Sequence, residues 1–600
     1  MNDRPTQDIL EAPGSEATAA PPGVLAYAPT ALRPIELAAT SVPATSAAIS
    51  SAAVTSTAVT STAVTSAAVT SASAPGPSGA PRESEPGRPD RRGGRLTYAP
   101  GLLLVAVLTV QAVLSLRLVW ANTAFLDEAT YLFAGHAELA HWLHGAPPAS
   151  FATYFSGAPV IYPPLAALAA SIGGLTAARL LSLGFMLGAT GLLWGTTSKL
   201  FGTRSAFFAA ALFAVTGPTQ ALGAFATYDA MALFLLAASA WCVVSAQDRD
   251  NSSLLLGAGI LLLALANATK YATAVLDPAV VALAATTVGR RRGLKPGLVR
   301  GGYLAAGTLG LVSALLALGG GDYLAGVLFT TLSRADGNKP AFLILTDASK
   351  WCGLVGLLAA AGVICALRRP DRAQLAIVTV LAASGLLVPL NQARLHTTTS
   401  LFRQVDFGVW FAAAAAGFAI AHVFGAGRRV WLRAGAAWLA GTLAVVLAGT
   451  VGRTQAGNFF REWPNSTQEM AVLHPLTREY PGNYLAENYS IPAYYLESSV
   501  PWQRWSQTWN FTYSSPNTHR LLTGGAAYQA AIDDGYFSLI VLSYTGTPKT
   551  DAQIVADMHR AGTYRLLNVV SAQDAFGTGQ VLVWAYQPHQ AVHQGTHGHG

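Results

Sequence analysis

Two adjacent carboxylates, Asp127 and Glu128, stand directly after the first long apolar segment of the chain, in the sequence FLDEATYLF. A carboxylate at a membrane surface can accept a proton from a substrate hydroxyl group, so this pair is a candidate for general acid–base chemistry. The structural alternative is that the two acids begin a helix, because the N-terminus of a helix favours negative charge. The residue types alone favour neither interpretation.

The composition is that of a polytopic membrane protein. Hydrophobic residues make up 52% of the 600 residues and charged residues only 11%, whereas soluble domains carry about 25% charged residues. This balance excludes an ordinary cytosolic protein, a coiled coil and a wholly disordered chain. All three cysteines lie in apolar runs, so neither a disulfide framework nor a CxxC metal site is expected. The net charge of +7 fits basic cytoplasmic loops better than nucleic-acid binding.

Eleven apolar segments have the length needed to cross a bilayer core of about 30 Å. They are 99–120, 177–198, 205–226, 228–247, 252–268, 271–288, 300–319, 350–367, 373–391, 404–424 and 430–450. Lysine and arginine are concentrated before the first span and in five of the loops, and all six positions fall on one side if there are eleven spans. The positive-inside rule makes that side the cytoplasm. We therefore expect a multi-pass protein of the plasma membrane with a cytoplasmic N-terminus and an extracytoplasmic C-terminal region.

The outer face carries further polar residues. Asp229 lies at the outer end of the fourth span, where an ionisable side chain indicates a functional site or, equally, a helix N-cap. Basic residues also occur on this face against the charge bias, at Lys270, Arg334, Lys339, Arg394, His396 and Arg403. Three loops of this kind indicate a shared phosphate or pyrophosphate ligand, and snorkelling at the interface is the alternative. The sequence Tyr162-Pro163-Pro164 begins a short apolar run that predicts a re-entrant or interfacial helix.

Composition divides the chain into four parts. Residues 1–97 are rich in Ala, Ser, Thr and Pro and contain a five-residue repeat, which predicts a disordered cytoplasmic tail. Residues 98–453 form the predicted transmembrane domain. Residues 454–588 alternate helical and strand patterns, which predicts a small extracytoplasmic α/β domain. Residues 589–600, rich in His and Gly, are expected to be a flexible tail.

Several of these segments, in this order, resemble membrane glycosyltransferases of the GT-C fold. The resemblance is to glycosyltransferase family 39 and its relatives, the protein O-mannosyltransferases and the lipid A aminoarabinose transferases, and it covers about residues 98–450. The motifs that carry it are Asp127-Glu128, Tyr162-Pro163-Pro164, ARLLS at 178–182, FG at 201–202, Tyr228-Asp229 and Lys270.

The resemblance implies a sugar donor carried on polyprenyl phosphate and an inverting transfer to an acceptor hydroxyl. Asp127 would be the general base, with Glu128 beside it as a second catalytic carboxylate. The donor phosphate would be bound by Lys270, Arg334, Arg394 and Arg403, and the substrate pocket would include Tyr162, Asp229 and His396. Some relatives use a divalent metal, and since this sequence shows no metal-ligand set of convincing spacing, metal dependence is left open. The acceptor could be a lipid, a glycan or a protein.

Two functions of other classes compete with the enzyme. One is a transporter or flippase of a lipid-linked sugar, although the spans show no convincing inverted repeat and the acids cluster at the outer mouth. The other is a non-catalytic membrane protein that binds cell-wall glycans through Trp502, Trp505 and Trp509. For these three side chains a role in the core or at an interface is favoured over stacking on sugars.

Overall fold

A computed structural model describes residues 99–147, 151–247, 252–331, 337–422, 430–516 and 519–587. The predicted tails at 1–97 and 589–600 lie outside the described residues. The membrane domain consists of α1 (Ala99–Val119), α2 (Leu126–His144), α3 (Tyr162–Phe201), α4 (Thr203–Val215), α5 (Gly217–Leu222), α6 (Tyr228–Ser245), α7 (Ser252–Thr269), α8 (Asp277–Arg292), α9 (Leu294–Leu318), α10 (Gly320–Thr331), α11 (Ala341–Leu367), α12 (Arg372–Arg394), α13 (Leu401–His422) and α14 (Val430–Phe459). A 3₁₀ helix, Tyr271–Leu276, leads into α8.

The prediction of a polytopic helical membrane protein is confirmed. Among the described residues, nine helical segments are long and apolar enough to cross a membrane. Large apolar side chains are exposed on their outer surfaces, for example Leu309, Leu318 and Leu357 at 69%, 84% and 72%. Such side chains require an apolar surrounding, which the lipid supplies. These nine segments cover nine of the eleven predicted spans, whereas 205–226 falls on the shorter helices α4 and α5 and 430–450 falls on α14.

The predicted span 205–226 is interrupted. Helix α4 ends at Val215, Thr216 is extended (φ −66°, ψ 151°), and Pro218 stands at the start of the short helix α5. Proline has no N–H to donate to the carbonyl four residues earlier, so the helix cannot continue through this point. Helix α5 ends at Leu222, and the non-helical segment that follows it carries the backbone N–H of Ala226 into the site described below.

The short helix predicted near 160–168 and the span 177–198 are parts of one element, α3. The two parts meet at a kink, where Gly173 (φ −151°, ψ 29°) and Gly174 (φ 61°, ψ −155°) leave the helical conformation. Only glycine adopts the conformation of Gly174 at little cost, so this pair sets the position of the bend. Residues 162–172 therefore form a short helix that leads through the kink directly into the span.

The C-terminal region contains a mixed sheet, as the alternating sequence pattern predicts. Its elements are α15 (Thr467–Glu479), β1 (Asn483–Ala486), α16 (Ser490–Tyr495), β2 (Trp505–Gln507), β3 (Thr512–Ser514), β4 (Leu521–Thr523), α17 (Gly525–Asp533), β5 (Phe537–Leu542), α18 (Pro548–Ala561), β6 (Tyr564–Gln573) and β7 (Thr578–Tyr586). Five strands pair in the order β2-β1-β5-β7-β6, and β3 pairs with β4. Strands β2, β1 and β5 are parallel, whereas β7 is antiparallel to both β5 and β6.

The two faces of this sheet have different partners because successive strand residues point to opposite sides. Leu485 and Ile540 lie in a core with helices α17 and α18. Tyr484 and Leu539 lie in a second core that includes Phe133 and other aromatic residues of α2 and of the segment before α3. The C-terminal region therefore packs on α2, the helix that carries the candidate base, through residues beside the sheet: the Phe133 ring lies 6.0 Å from those of Tyr489 and Trp502.

Candidate active site

Glu128 is fully enclosed in the first turn of α2 and is saturated with hydrogen bonds. Its Oε1 accepts from Arg179 Nε and Ala226 N, both at 2.8 Å. Its Oε2 accepts from Arg179 Nη2 at 2.6 Å and from Phe125 N at 3.0 Å. Both charged side chains are 0% exposed. With four donors on two oxygens, this carboxylate fixes the start of α2 and the loop before α6 rather than facing a substrate.

Arg179 is the residue that sequence reasoning missed. It lies on α3, and its guanidinium also donates to the carbonyl oxygens of Val119, Asn122 and Thr123 at 2.7, 2.9 and 3.1 Å. One side chain therefore joins the end of α1, the turn that follows it and the start of α2. Its sequence signal was a charged residue inside an apolar segment, where ionisable side chains are rare and usually have a role.

Asp127, the neighbour of Glu128, is in a different environment. Its side chain is 14% exposed, and Arg403 Nη2 lies 2.8 Å from its Oδ2. Within the described part of the chain, Arg403 is the only residue that donates a hydrogen bond to this carboxylate. Burial raises the pKa of Asp127 above its ordinary value, and the positive charge of Arg403 opposes that rise. A raised pKa makes the ionised carboxylate a stronger proton acceptor than an ordinary aspartate.

Asp229 and Lys270 form a second ion pair beside the first. Asp229 Oδ1 accepts from Lys270 Nζ, and Asp229 Oδ2 accepts from Thr227 Oγ1 at 2.8 Å. The Asp229 side chain is 0% exposed and that of Lys270 is 3% exposed. Arg403 joins the two pairs, because its Nη1 lies 3.5 Å from Asp229 Oδ2. The four side chains form one cluster of two acids and two cations, called here the charge cluster.

Aromatic rings enclose the charge cluster. Lys270 Nζ lies 4.8 Å from the ring centre of Tyr228, and the Arg403 guanidinium lies 5.4 Å from that of Phe225. Cations at these distances are attracted by the ring faces. Tyr131, one turn after Asp127 on α2, packs on Tyr228 with ring centres 4.8 Å apart. The rings keep bulk water away from the cations and strengthen the local electrostatic interactions.

Among the described residues, the structure brings together four of the predicted site residues, Asp127, Asp229, Lys270 and Arg403. Tyr162 is buried close by: its ring centre is 6.0 Å from that of Tyr131, and its hydroxyl is 3.4 Å from Ser182 Oγ. Arg394 is exposed and bonds to Asn391 at 3.3 Å.

His396 also stands apart from the charge cluster. The His396 Nδ1 lies 3.0 Å from the carbonyl oxygen of Lys339, and the residue has a φ of 50°. Arg334 lies outside the described residues. Within the described residues, no group of three or more His, Cys, Asp or Glu is placed to hold a metal ion.

Comparison with known proteins identifies the architecture. ArnT from Cupriavidus metallidurans bound to undecaprenyl phosphate is 13% identical, with a TM-score of 0.51 over 82% of this chain and 98% of that chain. The apo oligosaccharyltransferase from Archaeoglobus fulgidus is 12% identical, with a TM-score of 0.51 over 83% of this chain and 75% of that chain. The fold is the GT-C fold. The GT-C assignment confirms the fold expected from the order of the sequence motifs.

A sequence match supports the same relationship over part of the GT-C domain. Residues 158–317 match the family model described as dolichyl-phosphate-mannose-protein mannosyltransferase. This segment includes Asp229 and Lys270 but neither Asp127 nor Arg403. A comparison with curated protein sequences found no match.

Proposed function

We propose that the protein is a membrane glycosyltransferase that moves a sugar from a polyprenyl-phosphate donor to an acceptor hydroxyl, with inversion, on the extracytoplasmic face. The observation that carries this proposal is the charge cluster, in which a partly exposed carboxylate lies beside two enclosed cations. The solved ArnT structure, which shares the GT-C fold, holds undecaprenyl phosphate. The family match to dolichyl-phosphate-mannose-protein mannosyltransferases supports the same donor class.

In the proposed reaction, each residue of the charge cluster has one role. Asp127 accepts the proton of the acceptor hydroxyl, and the acceptor oxygen attacks the anomeric carbon of the sugar. The bond between that carbon and the phosphate oxygen breaks, and polyprenyl phosphate leaves with the electron pair. Arg403 and Lys270 stabilise the charge that develops on the leaving phosphate. Asp229 holds both cations in position, and Glu128 with Arg179 positions α2.

Three helix N-termini position the residues of the proposed site. Arg403 lies in the first turn of α13, Asp127 in the first turn of α2, and Asp229 in the first turn of α6, so three helix ends meet where a lipid headgroup can reach them. We propose that residues 454–588 form the extracytoplasmic domain and that, through its contact with α2, this domain contributes to the acceptor side of the site.

A panel of donors tests the proposal. The purified protein is incubated with polyprenyl-phosphate mannose, glucose, galactose and arabinose, each radiolabelled in the sugar, with and without EDTA and with a membrane extract as the source of acceptor. Release of polyprenyl phosphate with transfer of one sugar supports the enzyme and identifies its donor. Absence of transfer from every donor, with the protein folded, would contradict it.

The phosphate-binding roles have their own test within the same assay. Replacing Arg403 with glutamine removes a charge-assisted hydrogen bond to the phosphate and is expected to raise the donor KM about tenfold. Arg394→Gln is the comparison variant, because this arginine is exposed and bonded to Asn391. The expected effect of Arg394→Gln is below about threefold, consistent with a surface residue. Equal effects of the two variants would contradict the assignment of the phosphate to the charge cluster.

A further inference from the structure

The charge cluster is electrically balanced without a ligand. Asp127 and Asp229 supply two negative charges, and Lys270 and Arg403 supply two positive charges. Both cations already donate hydrogen bonds to these carboxylates. A phosphate that enters therefore competes with a carboxylate for at least one of the two cations.

Lys270 is the less movable of the two cations. Its ammonium bonds to Asp229, its side chain is only 3% exposed, and it lies 4.8 Å from the ring centre of Tyr228 and 5.9 Å from that of Phe407. Removing it from Asp229 would leave a fully enclosed carboxylate without its main partner, which is costly. Lys270 and Asp229 are thus expected to stay together when a ligand binds.

Arg403 has contacts that a ligand can exchange. Its Nη2 donates to Asp127 Oδ2 and to Ser400 Oγ, both at 2.8 Å, while its Nη1 is 3.5 Å from Asp229. The carboxylate that it would release, Asp127, is the more exposed of the two acids, at 14% against 0% for Asp229. A guanidinium has five N–H donors and matches a phosphate in two-point contact, so it can turn from one anion to another while keeping its remaining bonds.

We propose that the donor phosphate takes Arg403 away from Asp127, so that the general base is released only when the donor is bound. The inference rests on the proposed function and concerns the regulation of the same site. No covalent bond changes in this step: the hydrogen bond from Nη2 to the Asp127 carboxylate is replaced by one to a phosphate oxygen. In the empty enzyme the guanidinium lowers the basicity of Asp127, and in the donor complex Asp127 is free to take the proton of the acceptor hydroxyl.

This exchange predicts that the donor binds before the acceptor is activated. It also predicts that the Asp127 carboxylate and the donor phosphate compete for Arg403, although both belong to the same active site. Removing the Asp127 carboxylate should therefore strengthen the binding of a polyprenyl phosphate. If Arg403 instead binds Asp127 and the phosphate at the same time, the two anions do not compete for it. Removing the Asp127 carboxylate would then not strengthen phosphate binding through Arg403.

A double-mutant cycle separates competition through Arg403 from simple repulsion between Asp127 and the phosphate. The probe is undecaprenyl phosphate, titrated into the full-length protein in detergent, and the readout is its Kd by isothermal calorimetry. The four proteins are wild type, Asp127→Asn, Arg403→Gln and the double variant. Glu462→Gln is the matched control: burial raises the pKa of this carboxyl to about 7, the charge of nearby Arg403 opposes that rise, and no hydrogen bond between the two is present among the described residues.

Asp127→Asn is expected to tighten undecaprenyl phosphate binding about tenfold, the effect of one charge-assisted hydrogen bond, and Glu462→Gln to change it less than about twofold. In the Arg403→Gln background the gain from Asp127→Asn should disappear. A Kd that Asp127→Asn leaves unchanged, or an equal gain with and without Arg403, would overturn the exchange. If the wild type transfers sugar but the effects of the two substitutions on Kd simply add, the exchange is refuted and the proposed function is not. If the wild type neither binds undecaprenyl phosphate nor transfers sugar, the proposed function itself is refuted.

Discussion

Replacing Glu128 with glutamine is predicted to destabilise the protein strongly, although the change is isosteric. Each carboxylate oxygen of Glu128 accepts one bond from Arg179 and one from a backbone N–H group. In either orientation, the amide of a glutamine would point its NH₂ group at two donors and leave both without an acceptor. The change also removes the negative charge opposite a guanidinium that is 0% exposed.

The magnitude follows from these contacts. Breaking a buried ion pair by removing one partner costs about 3–5 kcal/mol. Arg179 keeps three backbone carbonyl acceptors at 2.7 to 3.1 Å, so the lower end, about 3 kcal/mol, is expected. Asp127→Asn is the matched control one residue away: its side chain is partly exposed, and Arg403 keeps Ser400 and Asp229 as partners, so the expected loss of stability is smaller, about 1 kcal/mol.

The assay is unfolding of both variants in the same detergent, followed by tryptophan fluorescence against denaturant concentration. Glu128→Gln should lower the midpoint far more than Asp127→Asn. The double variant Glu128→Gln with Arg179→Met removes the uncompensated cation and should recover part of the stability. Equal midpoints for wild type and Glu128→Gln would refute the structural role given to Glu128. The same conclusion would follow if the double variant lost as much stability as the sum of the losses from Glu128→Gln and Arg179→Met alone.

Three further predictions concern pH and packing. The transfer rate should fall as the pH drops through the raised pKa of Asp127, above the ordinary range of an aspartate, because only the ionised form accepts a proton; a rate that is flat down to pH 4 would contradict this. A hydrogen bond to the carboxylate of Glu497 raises the pKa of His136 in the folded protein. The pair should therefore stabilise the protein, by about 1 kcal/mol or less, at pH values below about 6.5, the pKa of His136 in the unfolded chain. This stabilisation should be lost as the pH rises through the higher pKa of His136 in the folded protein. Melting curves of Glu497→Gln and wild type should converge at high pH. At Gly135 a Cβ atom would lie 2.0 Å from a carbonyl oxygen of α3, so Gly135→Ala should cost about 2 kcal/mol in unfolding experiments, whereas Gly191→Ala, which faces open space, should cost little.

Local sequence patterns were sufficient for most of the secondary structure. Strands β5, β6 and β7 and helices α17 and α18 lie where alternating and helical patterns predict them. The interruption between α4 and α5 was not predicted, although Pro218 was its signal. Hydropathy alone does not register a break in a run that remains apolar on both sides.

The charge cluster shows where sequence reasoning stops. Asp127, Asp229, Lys270 and Arg403 were identified one by one as residues of the outer face, because each is ionisable at the end of an apolar segment. Which of them meet depends on tertiary contacts over separations of up to 276 residues. The same limit applies to Glu128: although it is next to Asp127 in sequence, it meets Arg179 rather than the charge cluster.

Arg394 and Arg403 illustrate the same point within one loop. Both were expected to bind the donor phosphate, and nine positions separate them. Arg394 ends α12 on an exposed surface, whereas Arg403 lies in the first turn of α13, an almost fully buried helix. The direction in which a new helix begins decides which cation faces the carboxylates, and composition does not encode that direction.

We propose that Asp127 is the base of a polyprenyl-phosphate-dependent glycosyltransferase. The most direct measurement compares sugar transfer and undecaprenyl phosphate binding in wild type and Asp127→Asn, using the donor that the panel identifies. We expect the variant to bind undecaprenyl phosphate at least as tightly as wild type while its transfer rate falls by at least about 100-fold. A variant that transfers sugar at the wild-type rate would show that Asp127 is not the base.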